Sequence, residues 1–565
     1  MDAKQVIVAK LAEWGLKLTD AEIEQLAPAY ERLLKWQGAL EGMLQSRKIA
    51  DGMNFPESEP ITIHALDRMV SSGAEAQPSG AAKHHSMPTG QRPIGIPDST
   101  TDGHELAYLS IFELAGRIER KEVSPVEIAT RTLTRVQQLN PQLNAYYTVF
   151  SDELIAAARE AERDILRGTY RGPLHGVPIG IKDIYEYGRT TCGSKPLENY
   201  VASTQATSVK KLVQSGALIV GKTATYEFAV GFPTNKSYFK PTRNPWNLAY
   251  DAGGSSNGTA SSVAAGLAYA GMGSCTGGSI RWPAQCCGIV GLKPSYGRVS
   301  RAGVYPLAWS LDHTGPLARS VTDAALMLRA CAGYDLSDPA SADLPVPDYT
   351  AQLGRDVKGM RIGLLRSLYD QSCDAKIRKP YEAAVKEFES LGAQLIEIPS
   401  ITLAQAQAVT WPAIFAETAA VHVDNVRNRG DEYNPHAKLY VAFGLLVSGA
   451  CYLLASRVRA QVRDALLREL ENRVDVLMLP TSGTQVPRVL EDSPGLSIIS
   501  EDFPIYTPIF NFTGLPAIQV PCGFDSDSLP VGFQLAGKPF DEATICQVGY
   551  AYEQTTPWHQ RHPRL

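Results

Sequence analysis

The chain begins with a helical pattern of apolar positions. Thr19 is followed three residues later by Glu22, the spacing of a capping box at the start of a helix. The apolar residues that follow recur at helical spacing: Ile23, Leu26, Tyr30, Leu33 and Leu40. This pattern predicts a helix with one apolar stripe. We expect the stripe to dock on the remainder of its own chain, because an amphipathic helix buries its apolar face.

From residue 105 onward, helical stripes alternate with short apolar runs. One helix is predicted at 458–470, just before one of these runs. The runs predict β-strands at 217–220, 361–365, 394–398, 474–478 and 531–535. Because helices that alternate with strands form a layered fold, the predicted fold class is α/β.

A change of composition divides the chain. Residues 77–103 are rich in Pro, Gly, Ser, Thr and His, which is typical of an extended linker. We therefore expect an N-terminal helical segment at 1–76, a linker at 77–103 and one large domain at 104–565.

Charge and hydropathy exclude several classes of protein. The 565 residues carry a net charge of −5, from 54 basic and 59 acidic side chains, without a block of like charge. Neither nucleic acid nor an anionic membrane is an expected partner. The first residues lack the apolar core of a signal peptide, and no run of about 18 apolar residues is present. A soluble, cytoplasmic protein is expected.

The nine cysteines are scattered without a repeated spacing. The adjacent pair Cys286-Cys287 has the spacing of neither a redox motif nor a zinc knuckle. We therefore expect reduced, buried thiols and no metal site.

Three short segments carry the candidate chemistry: GVPIGIKD at 176–183, GGSSNG at 253–258 and GGSIR at 277–281. Ser255 and Ser279 lie 24 positions apart, since 279 − 255 = 24. Together, and in this order, the segments resemble the amidase signature family. Further matching segments lie at 221–223, 227–229, 241–246, 288–294 and 310–316, so the resemblance covers roughly residues 104 to 565.

The resemblance implies a mixed, twisted sheet covered by helices on both faces. It also implies a catalytic triad in which Ser279 is the nucleophile, Ser255 relays the proton and Lys182 is the base. A lysine accepts a proton only when neutral, so burial would have to lower its pKa toward about 7–8. In the family, the relay serine follows a glycine through a cis peptide bond, and Gly254 suits that position.

The glycines before the nucleophile leave room for an oxyanion hole, formed by backbone N–H groups of Thr276, Gly277, Gly278 and Ser279. Ser256 and Asp183 are expected to support the site, by hydrogen bonding around it and by positioning a loop. Three aromatic residues near the motifs are candidates for lining an apolar substrate pocket: Tyr185, Tyr305 and Trp309.

The chain departs from the family pattern at Cys275, where an aspartate is usual. That aspartate commonly lies near the arginine that corresponds to Arg281. Because an unpaired buried guanidinium is costly, we expect Arg281 to pair with another carboxylate or to bind an anionic or carbonyl-bearing substrate.

Two other sequence patterns suggest different chemistry, but the residues support each of them less well. Ser310, Asp312 and His313 are the residue types of a serine protease triad, but near neighbours on a strand point to alternate faces and do not form its hydrogen-bonded chain. The segment 253–258 lacks the Gly-Lys-Ser/Thr ending of a phosphate-binding loop.

The function expected first is hydrolysis of a carboxamide, anilide or carbamate C–N bond through an acyl-enzyme, without a cofactor. The expected partner is a small amide-type substrate, and the N-terminal stripe would also suit a homodimer. The alternative is the glutamine-hydrolysing subunit of a tRNA-dependent amidotransferase, since the first segment also resembles the small helical subunit of those enzymes. A catalytically silent binding protein on the same fold is the third hypothesis.

Overall fold

The computed structural model describes residues 2–51, 106–370, 372–399, 402–489 and 504–565. The predicted linker at 77–103 lies outside the described residues. The described α-helices are α1 (Ala3–Glu13), α2 (Asp20–Asp51), α3 (Ile111–Glu119), α4 (Pro125–Leu143), α5 (Ser151–Leu166), α6 (Thr207–Gln214), α7 (Asn257–Ala264), α8 (Arg281–Cys287), α9 (Val321–Cys331), α10 (Arg366–Tyr369), α11 (Ala375–Ser390), α12 (Leu403–Arg429), α13 (Pro435–Leu446), α14 (Gly449–Asn472), α15 (Pro508–Phe512) and α16 (Glu542–Thr555).

The described strands are β1 (Tyr146–Val149), β2 (Pro178–Lys182), β3 (Leu218–Thr223), β4 (Arg243–Asn244), β5 (Asn247–Asp251), β6 (Ala270–Cys275), β7 (Val290–Lys293), β8 (His313–Ala318), β9 (Arg361–Leu364), β10 (Gln394–Glu397), β11 (Val476–Pro480), β12 (Ala517–Phe524) and β13 (Pro530–Ala536). The five predicted strands correspond to β3, β9, β10, β11 and β13. The helix predicted at 458–470 lies within α14, so these predictions are confirmed.

Eleven of the thirteen described strands form one sheet, in the order β1-β3-β2-β6-β8-β7-β12-β13-β11-β9-β10. Strand β2 pairs in parallel with both β3 and β6, whereas β6 pairs antiparallel with β8. The sheet is therefore mixed, as the resemblance implied. The interior strands β2, β3 and β6 are buried along their whole length, as expected for parallel strands that are covered on both faces.

The N-terminal helices dock on their own chain. The backbone N–H of Thr19 donates to Glu22 Oε2 at 2.7 Å and that of Glu22 to Thr19 Oγ1 at 3.3 Å, which confirms the capping box. Leu26, Tyr30, Leu33 and Leu40 of the predicted stripe are buried, Ile23 is partly buried, and α2 packs against α12, α13 and α14. An ion pair between Glu22 and Lys438 at 2.9 Å fixes the contact. The stripe is therefore not a free surface for a second copy of the chain.

Within the part of the chain that the structure describes, no single helix has the length and apolarity needed to cross a bilayer. By length and composition alone, the pair Pro435–Leu446 and Gly449–Asn472 passes the same criterion, with a bend of 91° between its two helices.

Candidate active site

The candidate site lies at one edge of the sheet, where β2 and β6 end. Lys182 is the last residue of β2, and Ser274 and Cys275 are the last two of β6. The two strands are parallel neighbours, with Ile181 paired to Met272. Because parallel strands end at the same edge of a sheet, these side chains are brought together.

Lys182 is held by two hydroxyl groups. Its Nζ atom lies 2.7 Å from Ser255 Oγ and 2.9 Å from Ser274 Oγ. The side chain is fully buried, and no carboxylate of the described residues lies within ion-pair distance of it. Burial lowers the pKa of Lys182 to about 7, because the ammonium form loses its hydration. Burial thus favours the neutral amine, which is the form that accepts a proton.

Ser255 lies at the turn that leads into α7. The peptide bond between Gly254 and Ser255 is cis, as the family resemblance implied. A Cβ atom on Gly254 would lie 2.3 Å from the ring of Tyr226, so this position requires glycine. Tyr226 is itself anchored by a hydrogen bond from its hydroxyl to Asp251 Oδ1 at 2.8 Å.

Ser279 lies in the turn between β6 and α8 and is partly exposed. Gly278 has φ +145°, and a Cβ atom there would lie 2.0 Å from Thr507 Oγ1. Thr507 Oγ1 also donates to the carbonyl oxygen of Gly277 at 2.7 Å. Among the described residues, the N–H groups of Gly277, Gly278 and Ser279 make no backbone hydrogen bond.

Thr276, the fourth residue of the predicted oxyanion hole, is fixed by Asp312. Thr276 Oγ1 donates to Asp312 Oδ1 at 2.6 Å, and the other carboxylate oxygen accepts from the N–H groups of Leu307 and Ala308 at 2.9 and 3.0 Å. Burial raises the pKa of Asp312 to about 6. Asp312 thus ties the turn that contains Thr276 to the 307–308 loop.

Ser255 and Ser279 open into a small cavity of about 80 Å³. Its walls carry no Asp, Glu, Lys, Arg or His side chain from the described residues. The apolar side is formed largely by aromatic and aliphatic residues from distant parts of the chain: Tyr226, Phe232, Trp282, Leu307, Trp411, Ile414, Phe415, Tyr440 and Ile505. We call this the apolar cavity.

A second cavity of about 240 Å³ shares Ala229, Thr276 and Leu307 with the apolar cavity. Tyr305 and Trp309 line this second cavity and not the apolar one. Tyr185 lines neither, which corrects its prediction as a pocket residue. Its ring is fully buried, and its hydroxyl donates to the carbonyl oxygen of Gly273 at 2.6 Å, so it supports β6 from within the core.

Ser256 and Asp183, which were predicted to support the site, lie beside the residues of the predicted triad. Ser256 Oγ donates to the carbonyl oxygen of Ser274 at 3.2 Å and accepts from its N–H at 3.3 Å. Asp183 is buried, accepts from the N–H of Thr191 at 3.1 Å and lies 3.5 Å from Lys222 Nζ. Asp183 therefore holds the loop that follows the candidate base.

The structure contradicts both expectations for Arg281, which were pairing with another carboxylate and binding of substrate. Arg281 is fully buried, lines neither cavity and pairs with no carboxylate among the described residues. Its guanidinium instead donates to neutral oxygens: Gln534 Oε1 at 2.5 Å, Asn511 Oδ1 at 2.5 Å and the Thr507 carbonyl at 2.9 Å. Dense coordination by amide oxygens replaces the missing charge partner. Because Thr507 also holds Gly277, Arg281 supports the turn before Ser279 indirectly.

Cys275 takes part in the same network. Arg281 Nη2 lies 3.7 Å from its sulfur, and Asn511 Nδ2 donates to its carbonyl oxygen at 2.7 Å. Although burial opposes it, the nearby guanidinium lowers the pKa of this thiol. Cys275 is completely buried and lines neither cavity, so it has no access to substrate.

The rival Ser-His-Asp arrangement does not form. Ser310 Oγ donates to Glu417 Oε1 at 2.6 Å, Asp312 holds Thr276, and His313 Nδ1 lies 2.6 Å from the Leu311 carbonyl. These three side chains point to different partners.

Within the described part of the chain, no group of three or more His, Cys, Asp or Glu side chains is arranged to hold a metal ion.

The sequence did not identify several residues that the fold brings to the site. Ser274 lies at the end of β6, where its hydroxyl contacts Lys182. Its position five residues before Ser279 was the sequence signal that could have identified it. Thr507 and Asn511, by contrast, lie more than 200 positions from the motif that they brace. No local pattern marks them.

Comparison with known proteins places this geometry among amidases. The family model described as "Amidase" matches residues 127–546. Over 82% of the chain it is 43% identical to a glutamyl-tRNA(Gln) amidotransferase subunit from Carboxydothermus hydrogenoformans, which it covers completely. It is 39% identical to an amidase from Pseudomonas putida over 81% of the chain and 98% of that protein. The crystal structure of a bacterial aryl acylamidase of the amidase signature enzymes superposes with a TM-score of 0.73, at 28% identity, over 80% of this chain and 97% of that one.

Proposed function

This chain belongs to the amidase signature family as an amidohydrolase, and from that premise we propose that it hydrolyses amides with an apolar acyl group through an acyl-enzyme on Ser279. The linkage would be a carboxamide, an anilide or a carbamate. The observation that carries the proposal is the 2.7 Å contact between Lys182 Nζ and Ser255 Oγ, at the base of a cavity that Ser279 also lines.

In the proposed first step, Ser279 Oγ attacks the substrate carbonyl carbon. Its proton passes to Ser255 Oγ, which releases its own proton to the neutral amine of Lys182. The pKa of about 7 supports this role, because a general base works best when its pKa is near the working pH. The 2.7 Å contact keeps the amine within hydrogen-bond reach of Ser255 Oγ, and the 2.9 Å contact with Ser274 Oγ restrains it there.

The tetrahedral intermediate carries a negative oxygen. The N–H groups of Gly277, Gly278 and Ser279 are proposed to stabilise it, each such donor contributing about 10²–10³ in rate in well-studied enzymes. The C–N bond then breaks, and the amine nitrogen takes the proton back from Lys182 through Ser255. Water next attacks the ester, and the same relay removes its proton and returns one to Ser279 Oγ.

The apolar cavity supports an apolar acyl group. A charged substituent placed there would lose its hydration without gaining a charged partner, because the described walls carry no charged side chain. Aromatic and aliphatic groups gain about 25 cal/mol per Å² of apolar surface that they bury. Its small volume favours a short or flat acyl group over a long chain.

Glutamine hydrolysis for a tRNA-dependent amidotransferase is the second candidate. It is favoured by the 43% identity to a subunit of a glutamyl-tRNA(Gln) amidotransferase. Two observations weigh against it. The α-ammonium and α-carboxylate of glutamine find no charged partner among the described residues of the apolar cavity. The N-terminal helices are also docked on the chain itself.

The discriminating experiment measures release of amine or ammonia from short aliphatic amides, aryl anilides, aryl carbamates and glutamine. Wild type is compared with Ser279→Ala. Turnover of apolar substrates that vanishes in the variant is the expected result. Turnover of glutamine alone would favour the amidotransferase function, and equal turnover by the variant would contradict Ser279 as the nucleophile.

A further inference from the structure

A third cavity adjoins the apolar cavity. Its volume is about 10 Å³, which is room for about one water molecule. The residues that matter in its walls are Leu368, Thr410, Tyr506 and Pro508, together with Trp411 and Ile505. Among the described residues, Trp411 and Ile505 alone line both this cavity and the apolar cavity. These two side chains therefore form the wall between the two spaces.

The third cavity offers no free polar group to a substrate. Its walls carry no charged side chain from the described residues. The Thr410 hydroxyl donates to the carbonyl oxygen of Ala406 at 2.8 Å, and the Tyr506 hydroxyl lies 2.9 Å from Ser372 Oγ. Gln407, the other polar residue of these walls, is not free either. The third cavity therefore suits hydrocarbon, because a polar group placed there would lose its hydration without compensation.

The wall between the two cavities lies close to the reacting groups. A Cβ atom built on Gly277 would lie 3.9 Å from Trp411 Cζ3 and 3.9 Å from Pro508 Cγ, which is van der Waals contact. Gly277 belongs to the proposed oxyanion hole, where the carbonyl oxygen of the substrate would lie. The indole is therefore close to the position of the acyl group in the proposed acyl-enzyme.

Packing holds the indole of Trp411 in this wall. The residue is 7% exposed, and its ring lies 5.8 Å from that of Phe415 at an angle of 24°. Its buried Nε1 has no hydrogen-bond partner among the described residues. Phenylalanine or leucine would occupy part of the same space without burying an unpaired N–H group, which is unfavourable. The size of the indole therefore accounts for its place in the wall better than its polar group does.

We propose that Trp411 and Ile505 set the maximum length of the acyl group, because they close the apolar cavity toward the third cavity. This inference rests on the proposed function and narrows its substrate class to amides of short-chain acids. A longer acyl chain would have to push the indole into packed surroundings, and overpacking of a buried site is costly. Removal of the indole would join the two cavities into one apolar channel that a longer chain can enter.

The test measures kcat/KM of the full chain for 4-nitrophenyl esters of acetic, butanoic, hexanoic and octanoic acid. All four esters share one leaving group, so the differences between them report on the acyl site. The variants are Trp411→Ala, Trp411→Leu and Leu368→Ala, with Ser279→Ala as the blank. Leu368 is buried and lines the third cavity but not the apolar one. Leu368→Ala therefore enlarges the third cavity and leaves the wall intact.

In wild type, we expect kcat/KM to be at least about tenfold lower for the octanoyl ester than for the butanoyl ester, because the longer chain overpacks the cavity. Trp411→Ala should raise the octanoyl-to-butanoyl ratio at least about tenfold, since each CH₂ group that becomes buried contributes about fourfold. Leu368→Ala alone should leave this ratio within about twofold. Combined with Trp411→Ala, it should raise the ratio at least about fourfold further, because the two changes act on one joined space.

Equal kcat/KM for the butanoyl and octanoyl esters in wild type would overturn the inference, and this result depends on no variant. A gain in Trp411→Ala that Leu368→Ala does not extend would also overturn it, because the indole would then only fill the apolar cavity. Trp411→Leu, which removes less volume, decides if the alanine variant does not fold, and an unchanged ratio in it contradicts the inference. Each of these results, with normal turnover of the butanoyl ester, contradicts this inference alone. No turnover of any ester above that of Ser279→Ala contradicts the proposed function as well.

Discussion

Lys182 Nζ lies 2.9 Å from Ser274 Oγ, so the candidate base is held by a second hydroxyl in addition to that of Ser255. We expect Ser274→Ala to lower kcat/KM about tenfold, because the amine would lose one of the two contacts that orient it. Steady-state kinetics on the preferred amide measure this effect. Ser262→Ala is the control, since this serine is also buried but bonds to Tyr146 at 2.7 Å, away from the base. A similar loss in both variants would contradict the assignment.

The pH dependence of the reaction should report Lys182. Its pKa is lowered to about 7, and only the neutral amine accepts a proton. Activity is therefore expected to be present above this pH and to be lost as the pH falls through about 7. The measurement is kcat/KM between pH 5 and 9, with an unfolding probe to confirm that the fold is intact throughout. A flat profile across pH 6 to 8 would contradict a lysine base.

Gly278 should be intolerant of any side chain. In Gly278→Ala the new Cβ atom would lie 2.0 Å from Thr507 Oγ1, the group that holds Gly277. We expect kcat/KM to fall by at least about 100-fold, the loss seen when one oxyanion donor is removed.

Gly172→Ala is the matched control for this prediction. Gly172 also has a positive φ, of +118°, but no atom of the described residues lies within 4 Å of its Cβ position. It carries the backbone cost of about 1 kcal/mol without the clash. Similar activity in the two variants would show that the turn at Gly278 is not held as described.

The N-terminal helix α2 should stabilise the wall of the apolar cavity. It packs on α12 and α13, which carry Trp411, Phe415 and Tyr440 into that cavity. Leu33 is 3% exposed, whereas its neighbour Leu34 is 52% exposed. Leu33→Ala is expected to cost about 2–5 kcal/mol in the docking of this segment and to raise KM.

Leu34→Ala provides the comparison, since an exposed leucine contributes within about 0.5 kcal/mol. Thermal unfolding and KM are measured for both variants. If Leu33→Ala clearly lowers the thermal stability but leaves KM unchanged, the N-terminal segment does not support the wall of the apolar cavity.

Much of the fold could be predicted from local patterns. The capping box at Thr19 and Glu22 and the strand at 361–364 depend on neighbouring residues, and the sequence shows both. The order of the eleven strands in the sheet could not be predicted from local patterns. Pairing of β12 with β7 joins segments more than 200 positions apart in the chain, and an apolar run carries no information about its neighbour in a sheet.

Some residues of the site could likewise be recognised from local sequence patterns, whereas others could not. Lys182, Ser255 and Ser279 stand in short glycine-rich motifs, so their segments could be recognised. Arg281 could not be assigned correctly, because its partners Asn511 and Gln534 come from elements more than 200 residues away and are neutral. Tyr185 looked like a pocket residue from its position near a motif, but its ring is buried in the core and its hydroxyl donates to the Gly273 carbonyl.

The most direct test of the central claim is intact-protein mass spectrometry after mixing the enzyme with a 4-nitrophenyl ester of a short apolar acid and quenching with acid. We predict a single acyl adduct, which peptide mapping assigns to Ser279 and which is absent from Ser279→Ala. An adduct on another residue, or one that persists in Ser279→Ala, would contradict the account.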